Sequence, residues 1–152
     1  MQLPVLAWLL QGVPECLACT ALVMIIVTGR LQWEKIIIIG LCLAVLVYLV
    51  RLLPITYGVH TILSTILLAV LVTKIGKARF IRSLAGALFA VFVIAITESF
   101  SHWLIFGNGV VTQEDMASSV YYGIVMGLPQ IVTLSLLAFI FKIQLKGKCT
   151  EI

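Results

Sequence analysis

Ile36-Ile37-Ile38-Ile39-Gly40-Leu41-Cys42-Leu43-Ala44-Val45-Leu46-Val47-Tyr48-Leu49-Val50-Arg51-Leu52-Leu53 carries one charge, close to its end, and stops at Pro54. At a rise of about 1.5 Å per residue, a helix of this length approaches the roughly 30 Å hydrocarbon core of a bilayer. Four more runs of the same kind flank it, at about 5–28, 57–73, 81–106 and 119–141. Together they predict an all-α integral membrane protein, a bundle of five transmembrane helices in one domain over 1–152.

Composition excludes the other broad classes. Of 152 residues, 62% are hydrophobic and 11% charged, with a mean hydropathy of +1.22. A soluble domain of this size leaves roughly 30% of its unfolded surface in water and could not hide so much apolar side chain. Disordered chains fail in the opposite direction, because they lack apolar surface to bury. The net charge of +4 suggests no nucleic-acid partner, since the ten Lys and Arg residues punctuate apolar runs instead of forming a water-exposed patch.

Those cations predict orientation. Arg30 and Lys35 fall in the first loop, Lys74, Lys77, Arg79 and Arg82 around the third, and Lys142, Lys146 and Lys148 in the tail. Arg51 alone belongs to the other side. The positive-inside rule then places the N-terminus outside and the C-terminus in the cytoplasm of a multi-pass cell-membrane protein. No basic stretch precedes the first run, so a cleaved signal peptide is not expected. In the opposite loops, Gly107-Asn108-Gly109 breaks the helix, and Thr112 is expected to cap a short turn leading to Glu114 and Asp115.

Ionisable groups inside spans are the functional candidates, because each costs about 2.5–3.5 kcal/mol at the bilayer centre. Glu15 lies in the first span, Arg51 ends the second, His60 opens the third, and Glu98 and His102 lie in the fourth. A polar cluster open to the outside lowers the cost of all five. Gln11 and Glu15 share a helix face by their four-residue spacing, as do Glu98 and His102. By depth, Glu98 is the expected partner of Arg51. The segments Gly12-Val13-Pro14-Glu15 and Gly127-Leu128-Pro129-Gln130 interrupt two spans at matching depth, an arrangement that surrounds midplane sites in transporters and also serves plain helix packing. Gln130 joins the candidates on this ground.

Other motifs carry less. Cys16 and Cys19 form a C-x-x-C without a second pair, and Cys42 reads as a packing residue. Cys149, in the basic tail, is at most a weak candidate for lipidation. His60 and His102 could in principle ligate haem from facing helices. No metal or cofactor is expected, and no nucleophile stands paired with a base, so no catalytic residue is assigned. Gly123 and Gly127 form a G-x-x-x-G that lets a helix approach closely, within the chain or in a homo-oligomer. Gly86 and Ala90 repeat the spacing.

The run Tyr48-Leu49-Val50-Arg51-Leu52-Leu53-Pro54, the following Gly58-Val59-His60-Thr61, and Pro14-Glu15, Glu98 and Pro129-Gln130 form a wider pattern. Over about residues 10–142 it resembles the membrane portion of Gram-positive bacterial sensor histidine kinases with a GHKL-type ATPase. The resemblance implies a signal-receiving membrane module, here expected to carry no phospho-accepting helix or ATPase domain of its own. The expected function is a non-enzymatic sensor or regulatory subunit. It would bind a small or amphipathic ligand in the outer polar cluster and contact lipid and a partner such as a histidine kinase or another membrane protein. The alternative is a small transporter or channel component with Glu15 and Glu98 on the path.

Overall fold

A computed structural model describes residues 8–52, 57–107 and 120–148. Of these, 94% are helical, and the residues between helices are the turns at 29–32 and 77–79. Helix α1 (Val13–Thr28) is entered through a π-helical turn, Trp8–Gly12. Helices α2 (Trp33–Leu52), α3 (Tyr57–Gly76), α4 (Phe80–Gly107) and α5 (Val120–Lys148) follow. Each of the five is long and apolar enough to cross a membrane, as the hydropathy pattern predicts. Residues 108–119 with Thr112, Glu114 and Asp115, residues 53–56 with Pro54, and Cys149 lie outside the described residues.

Helix ends depart from the apolar runs where backbone and side chain obey different rules. Helix α2 begins at Trp33, three residues before the first isoleucine, and α5 continues to Lys148, about two turns past the apolar stretch. Near the interface the ladder continues because its N–H and C=O groups still need partners, whatever the side chains are. Lysine is also a good helix former.

Helix α1 is the hub. It packs on α2, α3, α4 and α5, while α2–α3, α3–α4 and α4–α5 pack pairwise around it. The eight residues from Ala18 to Ile25 are all buried, with Leu22, Val23 and Met24 fully so. Over this stretch the helix is buried round its whole circumference and needs no polar stripe. Close approach is bought by small residues. A Cβ on Gly86 would stand 3.1 Å from Val27, and Ala90 beside it is fully buried, so this small-residue pair serves the α1–α4 contact.

The outer faces tell the complementary story. Ile37, Leu41, Val45 and Leu49 of α2, Leu88, Phe92 and Ile96 of α4, and Val132, Leu136 and Phe139 of α5 are exposed at helical spacing. Continuous apolar stripes of this extent are wetted by lipid, and the chain is a multi-pass membrane protein. Cys42 belongs to this exposed surface; the expectation that it packs inside is corrected. Hydroxyls are satisfied without leaving their own helices. Thr20, Thr65, Thr73, Thr97 and Thr133 each donate to the carbonyl four residues back, at 2.7–2.8 Å.

Turns at one end are tight and basic. Gly29 adopts φ +69°, where a side chain would strain the backbone, and its N–H donates to the Ile25 carbonyl at 2.9 Å to close α1. Lys77 takes the same left-handed region at φ +56° in the α3–α4 turn.

Candidate functional site

At the end of the bundle opposite those basic turns, the helices enclose a cavity of about 350 Å³. Gln11, Gly12, Glu15, Cys16 and Cys19 line it from the π-helical turn and α1, and Arg51 from α2. His60, Thr61, Ser64 and Thr65 come from α3, Glu98 from α4 and Gln130 from α5. Apolar side chains, among them Leu43, Val47, Leu68, Val91 and Ile94, fill the spaces between.

Two proline segments shape the opening. Pro14 stands just past the π-helical turn in an unbroken helix, where its missing N–H leaves a carbonyl of the preceding turn without a ladder bond, and Gln11 and Gly12 of that turn line the cavity. Pro129 lies inside α5, next to Gln130. The two segments meet directly. The Gln11 amide lies across Gly127 so closely that a Cβ there would overlap it. Gly127 thus makes its close approach within the chain, and it is buried there. The surroundings of Gly123 lie outside the described residues.

Arg51 reaches the neighbouring helix. Its Nε donates to His60 Nε2 at 3.0 Å, so the hydrogen-bond partner is His60 and not Glu98 as depth alone suggested. A guanidinium can only donate, which makes Nε2 the acceptor and puts the ring hydrogen on Nδ1. That nitrogen faces Ser64 Oγ at 3.4 Å, and the Ser64 hydroxyl in turn donates to the His60 carbonyl at 2.8 Å. The relay Arg51–His60–Ser64 has a consistent direction of donation and fixes the end of α2 against α3.

Glu15 and Glu98 face the same space from α1 and α4. Glu15, Arg51 and Glu98 thus line one cavity from three different helices. Among the described residues the side chains of Gln11, Glu15, Glu98 and Gln130 make no hydrogen bond. Gln130 is the extreme case, because it retains only 7% exposure.

Six of the seven polar residues singled out from the sequence, Gln11, Glu15, Arg51, His60, Glu98 and Gln130, line this cavity. His102 does not. It is exposed, one turn beyond Glu98 towards the end of α4, so the four-residue spacing put it on the right face but past the cavity mouth. Sequence reasoning missed Thr61, Ser64 and Thr65. The available signal was their position within five residues of His60 in an otherwise apolar span. Among the described residues no group of three or more His, Cys, Asp or Glu is placed to hold a metal ion.

No family model, curated protein or solved structure matches the chain.

Proposed function

We propose that the protein is a non-enzymatic receptor or regulatory subunit of the cell membrane, with its N-terminus outside and its C-terminus in the cytoplasm. A small or amphipathic ligand enters the cavity from outside. The observation that carries this reading is a largely apolar cavity that gathers Glu15, Arg51 and Glu98 above a packed floor. Beneath it Leu22, Ile25, Ile39, Val72, Ala87 and Leu134 are almost completely buried, so it reads as a blind binding site. The orientation rests on the cations, nine of ten of which gather at the opposite end.

Helix α1 runs from the cavity to the basic end and touches every other helix, so a ligand that displaces Glu15 acts on the surface where a cytoplasmic or membrane partner would dock. The transporter reading draws on the proline-interrupted helices and on Glu15 and Glu98, but it requires the floor to open.

Accessibility separates the two. In a chain with the four native cysteines replaced by Ala or Ser, Ser64→Cys should react with a membrane-impermeant thiol reagent from outside the cell. In inside-out vesicles it should not. Reaction from both sides would favour the transporter, and reaction from inside alone would overturn the orientation.

A further inference from the structure

We infer that the ligand of this cavity is a small amphipathic cation, an alkylammonium-like group with an apolar tail; the inference rests on the receptor reading above. Two carboxyl groups, Glu15 and Glu98, share the cavity with one guanidinium, and Arg51 is already engaged with His60. Every other Lys and Arg stands in or beside the turns and helix ends at the far side of the bundle. Among the described residues the cavity therefore holds one carboxyl group more than its basic groups can match. Glu15 and Glu98 are half-buried there, and a carboxylate drawn partly out of water without a counter-charge is disfavoured; a cation arriving from outside supplies that partner.

Gln130 points the same way independently. Its amide is more than nine-tenths buried, lines the cavity, and makes no hydrogen bond among the described residues. Buried amides without partners are rare in folded proteins, and an ammonium group offers three donors to its carbonyl oxygen and to the two carboxyl groups. The remaining wall, Leu43, Val47, Leu68 and Ile94, is apolar and accommodates a short hydrocarbon chain. At about 30 Å³ per water-sized group, the volume admits about a dozen such groups, which sets the size of ligand.

Three probes of equal length test the class. Hexylammonium, hexan-1-ol and hexanoate are titrated against the protein in a neutral maltoside detergent, reading the thermal unfolding midpoint. Hexylammonium should stabilise saturably, at least about tenfold more tightly than hexanol, the margin expected of a charge-assisted hydrogen bond. The preference should vanish in Glu15→Gln/Glu98→Gln and weaken in Gln130→Leu. Ala95 of α4 also lines the cavity, and Ala95→Phe, which places a ring there, should abolish binding of all probes. Equal binding of hexanol, or tighter binding of hexanoate, with both lost in Ala95→Phe, would overturn the cationic class and leave the receptor reading standing. No saturable binding by any probe, or binding unchanged by Ala95→Phe, would overturn both.

Discussion

Gly127 and Gln11 meet where the two proline-interrupted helices cross, and a methyl group there requires the Gln11 side chain to move. Gly127→Ala should cost about 1–3 kcal/mol, the usual penalty of overpacking, measured as reversible unfolding in mixed micelles. Shortening the opposing side chain in Gln11→Ala/Gly127→Ala should recover most of it; an additive double variant would show that the two do not meet. The Arg51–His60 bond calls for a double-mutant cycle with leucine at each position. We expect a coupling of about 1–2 kcal/mol between Arg51 and His60, and a smaller one between Arg51 and Glu98. The reverse order would restore the pairing that depth suggested. Depth in a span is legible from sequence, and it brought Glu15, Arg51 and Glu98 to attention together. Rotation of each helix about its axis is not, and rotation decides that Arg51 meets His60 and that His102 stands outside the cavity.

Helices were legible because lipid demands them: about 20 apolar residues in a row leave the backbone no alternative to pairing with itself. Which helix lies at the centre was not. Mean hydropathy of the five spans runs from 1.4 to 2.4 with α1, at 1.9, in the middle, and lipid rewards apolar faces as readily as a protein interior does, so neither singles α1 out. The π-helical turn and the extension of α5 to Lys148 were invisible for a related reason, since hydropathy reports side chains and those features belong to the backbone. The central place of α1 has an energetic signature. Leu22→Ala, fully buried, should cost about 2–5 kcal/mol by opening a cavity. Leu41→Ala on the lipid face of α2 should cost under about 1 kcal/mol, because lipid chains fill the space it leaves. Similar losses in thermal unfolding experiments would mean that α1 is not the hub.

Across the whole molecule the charges are segregated, with cations at one end and a mixed polar cavity at the other, and the helix that joins the two ends is the first along the chain. Its most extensive packing is with α5, the last described helix, more than a hundred residues later. That order carries a consequence in time. Helices leave the ribosome in sequence, so α1 must wait in the bilayer with Gln11 and Glu15 facing lipid or transient neighbours until α5 arrives to cover them. Through most of synthesis the nascent protein is an open cup around an unfinished centre, the state in which membrane quality control would intercept it. A chain stopped at residue 112 should accordingly be degraded. Supplying α5 as a separate polypeptide should rescue its steady-state level, because the missing piece is a surface for α1 and the covalent link to α4 is secondary. Persistence of the truncated chain at full level would show that α1 finds shelter without its last partner.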